Sequence, residues 1–296
     1  MKRCGYVALI GRPNVGKSTL LNRILGIKLA ITSHKPQTTR HSILGIHSTD
    51  QGQALFLDTP GIHQRGGNAL NRYLNRAALT AIPEADLVLF LVEALKFTQE
   101  DEKALAAIRR AGTPSIAVVN KVDLIPQKTR LLPYLQELGQ RHDFLQILPV
   151  SARRGDQIDR LEQQIIAALP EGELRYPSDQ WSDRSQRFFA AELLREQLVR
   201  RYGKELPYRT TVEIERFVEE GGRYRIHALI WVERPGQKAI LIGKDGEALK
   251  AAATQARLSM KQFFDCPVHL EVWVKVKESW SSDEKALASL GYGDRI

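Results

Sequence analysis

The sequence predicts an α/β domain on a mostly parallel sheet with one antiparallel edge strand, followed by a smaller α+β domain. Three observations predict it. Residues 11–18 read Gly-Arg-Pro-Asn-Val-Gly-Lys-Ser, the spacing of a phosphate-binding loop, set between an apolar run and a helical pattern. Apolar runs then alternate with amphipathic segments as far as about residue 170. After a Pro- and Gly-containing break come a hairpin pattern, a Gly-x-x-Gly loop, a long amphipathic segment and a strand of clean alternation.

Each element follows from its residues. Buried strands are expected at Tyr6–Ile10, Ile43–His47, Ala54–Leu57, Leu87–Val92, Ser115–Asn120 and Ile147–Pro149. Helical patterns cover Ser18–Leu25, Leu70–Ala81, Glu100–Ala111, Leu131–Arg141 and Ile158–Leu169. The short polar stretch between Ile43–His47 and Ala54–Leu57 reads as a hairpin, which supplies the antiparallel edge. Pro170, Gly172 and Pro177 make 171–182 a linker between a first domain at 1–170 and a second at 183–277, with a tail at 278–296. Ser182 is the expected cap of a helix reaching Tyr202. Thr211–Glu219 and Arg223–Glu233 form a hairpin about Gly221-Gly222, with a bulge to absorb a slip in phase. A Pro235-Gly236 turn, the apolar stretch Ala239–Ile242, a loop at 243–246, a helix over Glu247–Phe264 and a strand over Val268–Val276 complete the pattern.

Bulk properties narrow the function classes. The 296 residues are 43% hydrophobic and 26% charged, enough for a sizeable core and about two domains. Two cysteines fit neither a disulfide framework nor a metal cluster, so a reduced, cytoplasmic setting is expected. The longest apolar stretch, Ala85–Val92, is too short to span a membrane, and the run after Met1-Lys2-Arg3 is cut at Arg12, too early for a signal peptide. The net charge is +9, and residues 1–80 hold 11 Lys and Arg against 2 Asp and Glu. A basic excess around a phosphate loop suits a polyanionic partner.

Three further motifs follow the phosphate loop. Asp58-Thr59-Pro60-Gly61 ends a strand; its carboxylate is placed to hold magnesium through water and the Gly61 amide to meet a γ-phosphate. Asn120-Lys121-Val122-Asp123 also follows a strand. The Asp123 carboxylate can accept from guanine N1–H and its 2-amino group, a donor pair adenine lacks, and the Lys121 stem can cover the base. Ser151-Ala152-Arg153 follows the last strand, where backbone amides can meet guanine O6. In the phosphate loop itself, Gly11, Arg12, Pro13, Asn14, Val15, Gly16, Lys17, Ser18 and Thr19 surround the phosphates, with Lys17 neutralising β- and γ-phosphate charge and Ser18 as the direct magnesium ligand.

This ordered set resembles the translation-factor-class GTPases, an α/β P-loop GTPase domain, across about residues 1–170. The resemblance implies GTP and GDP as ligands, magnesium as cofactor, and Thr39, next to Thr38, as the magnesium-binding threonine of the first switch. With Lys17, Asp58 and Gly61, Thr39 completes the expected catalytic set. Where Ras-like enzymes carry a water-orienting glutamine after Gly61, this chain has Ile62, so it resembles GTPases that place a hydrophobic residue there, with slow intrinsic turnover. His63 is adjacent and reads as a surface residue. Related proteins with Asn at position 14 bind potassium through it, which makes potassium a candidate second cation.

The Gly243–Gly246 loop, with Ile242 before it and Lys244 and Asp245 inside it, lies between an apolar stretch and a helix that precedes a strand. That order resembles an α+β KH domain of type II, in which the glycines let the backbone approach RNA and the helix N-terminus faces phosphates. Lys250, Arg257, Lys261, Lys275 and Lys277 are candidate phosphate contacts. The two modules in this order, with Lys-Val-Lys-Glu-Ser-Trp at 275–280 and Leu-Gly-Tyr at 290–292, resemble a family of bacterial ribosome-assembly GTPases. The resemblance implies binding to the 3′ end of 16S ribosomal RNA, assistance to 30S subunit maturation, a monomeric state and a loose peripheral membrane association. Two departures stand out: Glu93 where a smaller or Asp-type residue is common, and Gly66-Gly67 in the second switch. Two rival readings are a tRNA-modifying GTPase and an assembly factor with a vestigial nucleotide site. The first needs a conspicuous C-terminal Cys, whereas Cys266 before Pro267 reads as packing; intact Lys17, Ser18, Asp58 and Asp123 oppose the second.

Overall fold

In a computed structural model, residues 2–33, 35, 39–61, 69–203, 205–290 and 292 are described. They divide into two compact units, the boundary falling between Asp183 and Arg184. The first unit runs β1 (Arg3–Ile10), α1 (Lys17–Leu25), β2 (Ile43–Ser48), β3 (Gly52–Asp58), α2 (Ala69–Glu84), β4 (Leu87–Glu93), α3 (Gln99–Ala111), β5 (Ser115–Asn120), α4 (Leu131–Arg141), β6 (Gln146–Pro149) and α5 (Ile158–Ala168). The second runs α6 (Gln186–Arg201), β7 (Thr210–Glu220), β8 (Arg223–Val232), α7 (Pro235–Ile242), α8 (Glu247–Phe264), β9 (Val268–Val276) and α9 (Glu284–Ser289).

The six-stranded sheet has the order β2-β3-β1-β4-β5-β6, parallel except for the antiparallel edge pair β2–β3, as the sequence predicts. The central strands β4 and β5 are buried along nearly their whole length, which explains their unbroken apolar character. Helix α3 starts at a capping box in which Thr98 accepts from Asp101 N and Asp101 accepts from Thr98 N, satisfying amides that the helix itself cannot.

The stretch expected to be a linker, 171–182, is instead bonded along the first unit. Gly172 N donates to Lys2 O at 3.0 Å. The fully buried Gln53 accepts from Arg175 N and Tyr176 N at 3.0 and 3.1 Å and donates to Tyr176 O at 2.9 Å. Ile46 N donates to Trp181 O at 2.8 Å, so this strap covers part of the β2 edge. Ser182 does not cap α6; its hydroxyl donates to Leu44 O, and Ser185 is the cap. The Pro and Gly signals mark irregular backbone correctly, but a buried side chain can satisfy irregular backbone as well as a ladder can.

In the second unit, β7-β8-β9 form a sheet with an antiparallel and a parallel pair, and a register shift lies between Ile214 and Arg216, where the bulge is expected. Ile226, Ala228, Ile230 and Val232 of β8 face a core shared with Leu194, Leu241, Ala256 and Met260 of the helices. Pro235-Gly236 is not a turn but the first two residues of α7. Proline's fixed φ suits the first helical position, where its missing N–H costs nothing. The described part of the expected tail, 278–290 and 292, also packs into this unit: Trp280 is fully buried, stacks on Tyr292 with ring centroids 6.0 Å apart, and donates Nε1–H to Arg209 O.

Candidate functional site

The phosphate-loop residues join the end of β1 to α1 and curl around the Lys17 ammonium. Lys17 Nζ donates to Gly11 O at 3.0 Å and Arg12 O at 3.2 Å. Burial lowers its pKa to about 8, with Asp58 opposing that shift and Arg12 adding to it. Gly16 sits at φ 105°, and a Cβ there would collide with Asn120 Nδ2. Only glycine fits where the loop meets the Asn120 side chain.

Three oxygen donors converge beside Lys17. Ser18 Oγ lies 2.9 Å from Thr39 Oγ1 and donates to Asp58 Oδ2 at 2.9 Å, and Thr39 Oγ1 donates to the same oxygen at 3.4 Å. Asp58 is fully buried, and its Oδ1 has no hydrogen-bond partner among the described residues. Burial raises the Asp58 pKa to about 6, against the pull of Lys17 and the Ser18 and Thr39 hydroxyls. Two hydroxyls and one carboxylate with an unpartnered oxygen are a hard, oxygen-only set that fits magnesium, completed by water and phosphate. Pro13, Asn14, Gly16, Lys17, Ser18, Thr19, Thr39 and Gly61 line one cavity, so most of the phosphate and catalytic candidates meet there. Asn14 is exposed, with φ 65°.

Not every candidate presents its side chain. The Arg12 guanidinium turns away, pairing with Glu93 at 2.9 Å and with the buried Asp101 at 3.1 Å. Val15 is buried in the core, and Thr59 Oγ1 donates to Leu9 O. These three can offer a nucleotide only their backbone. Pro60 closes the strand-end loop before Gly61 and is buried. Thr38, Ile62, His63 and Gly66-Gly67 lie outside the described residues.

The base-side motifs are knitted to the phosphate loop. Asn120 Nδ2 donates to Val15 O at 2.8 Å, and its Oδ1 accepts from Ala152 N at 3.0 Å. The Ala152 amide, expected to face guanine O6, thus has a protein acceptor in this structure. Ser151 Oγ donates to Asp123 Oδ1 at 2.7 Å, fixing the carboxylate. Lys121, at φ 68°, reaches Glu93 Oε2 at 3.0 Å. Arg23, which motif reading misses, donates to the carbonyls of Ala152 and Arg153 at 3.2 and 2.5 Å and so holds the Ser151-Ala152 loop from α1. Asp101 is missed in the same way, and Glu93 stands out in the sequence only as a departure, because both matter through tertiary pairing.

In the second unit the Gly243–Gly246 loop joins α7 to α8. Gly243 has φ 74° and ψ −178°, and a Cβ there would lie 2.6 Å from the Ala248 Cβ. Lys244 and Asp245 are exposed, and Ile242 packs against the core. Lys250, Arg257 and Lys261 share one stripe of α8 by their spacing. Lys275 and Lys277 do not join them. They lie over Trp231, at 6.0 and 5.7 Å, on the sheet face opposite the helices. Ile240, 64% exposed and three residues before Gly243, is an apolar surface beside the loop that sequence reasoning did not single out.

Comparison with known proteins follows the same division. A family model described as 50S ribosome-binding GTPase matches residues 6–121, and a KH domain model matches 205–281. The chain is similar to GTPase Era of Pseudomonas aeruginosa, 53% identical over 292 residues that cover 99% of this chain and 96% of the relative. It is similar to GTPase Era of Actinobacillus pleuropneumoniae at 52%, covering 98% and 96%. Among solved structures it resembles Era bound to MgGDPNP and nucleotides 1506–1542 of 16S ribosomal RNA, with TM-score 0.95 and 36% identity over 99% of both chains. It also resembles Aquifex aeolicus Era, carrying a tyrosine-to-alanine substitution, bound to GDP and aluminium fluoride, with TM-score 0.94 and 36% identity over 98% of this chain and 99% of that one.

Proposed function

Because the chain belongs to the Era family of GTPases, we propose that its first unit binds and hydrolyses GTP and its second holds the 3′ end of 16S ribosomal RNA during 30S subunit maturation. The observation that carries the nucleotide half is the meeting of Ser18, Thr39 and Asp58 oxygens beside the buried Lys17.

Lys17 and the loop amides hold the β- and γ-phosphates, and the arriving anion further favours the ammonium form against the pull of burial. Ser18 and Thr39 directly, and Asp58 through water, would hold magnesium. Magnesium when bound supplies fixed positive charge to the phosphate oxygens. The Gly61 amide meets the γ-phosphate, and Thr39 closes the site from the switch side. Asp123, oriented by Ser151, accepts from guanine, and Lys121 covers the base. Catalysis is then positioning and electrostatics, with no side chain assigned to deprotonate water. In the second unit Gly243 and Gly246 admit the RNA backbone, and Lys244, Lys250, Arg257 and Lys261 contact phosphates. Lys275 and Lys277 serve a separate patch.

Asn14, exposed at the cavity, would hold potassium in the GTP state. Hydrolysis is then faster in potassium than in matched sodium buffer, and equal rates would remove this role. No helix among the described residues is long and apolar enough to cross a membrane. The protein works as a monomer in the cytoplasm, with peripheral membrane contact, which cell fractionation checks. Equilibrium binding of GTP, ATP and a fragment of the 16S 3′ end tests the main reading. Preference for GTP with saturable RNA binding supports it. RNA binding without nucleotide binding would favour the vestigial-site alternative, and a modified nucleoside in treated tRNA would favour the modifying enzyme.

A further inference from the structure

The strand register puts Glu93 at a junction. Glu93 is the last residue of β4 and pairs with Asn120 at the end of β5, which brings Lys121 beside it. One carboxylate oxygen, Oε2, accepts from Lys121 Nζ at 3.0 Å and from Arg12 Nη2 at 2.9 Å. Arg12 belongs to the phosphate loop, and Lys121 to the base-binding motif. The Arg12 Nε donates to Asp101, whose fully buried carboxylate is fixed by Thr98. The chain Asp101–Arg12–Glu93–Lys121 alternates sign and balances two cations with two anions. Burial would raise the Glu93 carboxyl, but the hydrogen bonds from Lys121 and Arg12 overcome it and hold Glu93 below the ordinary range, so it stays charged.

We infer that Glu93 is a positioning residue that couples the phosphate loop to the guanine clamp, holding the Lys121 stem over the base with the same oxygen that anchors Arg12. A lysine side chain carries several rotatable bonds, and ordering it unaided costs entropy. Glu93 supplies that order before the nucleotide arrives. Because Arg12 is tied through Asp101 to α3, the anchor is a rigid one. Removing Glu93 frees Lys121 and leaves Arg12 with half its partners. The inference rests on the assignment of Lys121 as the base-covering residue.

The test is the dissociation rate of a fluorescent GDP from the full chain, for Glu93→Ala, Lys121→Ala, the double variant and Glu93→Gln. Each alanine variant is expected to release GDP about tenfold faster, and the double variant no faster than the faster single, because the two act as one unit. Glu93→Gln keeps an acceptor of the same shape and is expected to recover most of the residence time. Binding of 16S RNA by every variant should match the parent. If Glu93→Ala releases GDP at the parent rate while Lys121→Ala is fast, or if the two effects add, the coupling is overturned and the clamp assignment stands. If Lys121→Ala leaves the rate unchanged, the clamp assignment itself fails. Should Glu93→Ala not fold, Glu93→Leu, which fills the position without an acceptor, completes the same cycle with Lys121→Ala.

Discussion

The nucleotide site and the Gly243–Gly246 loop recognise charge in opposite ways. Around the first, polar side chains are buried or half-buried and already paired: Lys17 to two carbonyls, Asn120 to Val15 and Ala152, Asp123 to Ser151. Around the second, Lys244, Lys250 and Lys261 stand in solvent, and the loop offers backbone shape. A buried, preorganised site concentrates its energy in few atoms, so single changes cost much. An exposed basic surface spreads it, so single charges cost little and salt matters most.

Three substitutions sharpen or break that contrast. Asp123→Asn should have the largest effect, lowering GTP affinity by about 100-fold and relaxing the preference for guanine, because the paired acceptor is lost in a fixed site. Competition binding with GTP and XTP measures it, and an unchanged preference would show that Asp123 does not read the base. Gly243→Asp comes next. A side chain at φ 74° strains the backbone and meets Ala248, so RNA affinity should fall about tenfold or more while GTP binding is kept. Loss of GTP binding in that variant would dissolve the contrast between two independent sites. Lys244→Ala should be mildest, a few-fold loss of RNA affinity with the salt slope reduced by about one. A hundredfold loss there would mean that the exposed loop concentrates its energy as the buried site does.

The same contrast governs what is legible in the sequence. Strands β1 to β6 and helix α8 stand out because burial imposes apolar runs and periodicity on contiguous residues. The phosphate loop and Asp123 stand out because their chemistry needs fixed spacings. The pairings of Arg12 with Glu93 and Asp101, and of Arg23 with Ala152, leave no such mark, since the partners lie 81, 89 and 129 positions apart. Lys275 and Lys277 illustrate a different loss. Charge counting places them with Lys261, but the two-residue period of β9 turns them to the opposite sheet face. Trp280 and Tyr292 look like a terminal tail in composition, and only tertiary stacking reveals them as core.

One irregular segment also carries a dynamic consequence. The strap over 171–182 has little regular secondary structure, yet Gln53 saturates its amide on Arg175 and Tyr176 at zero exposure. Lifting the strap would break all three of these bonds together and leave the amide with Ser48 Oγ and incoming water as partners, a net loss of about 0.5–1.5 kcal/mol for each bond. The strap and the sheet edge should therefore open as one cooperative unit. In hydrogen exchange, the Arg175 and Tyr176 amides would carry the protection of the strands beside them, and a protease would cut elsewhere first.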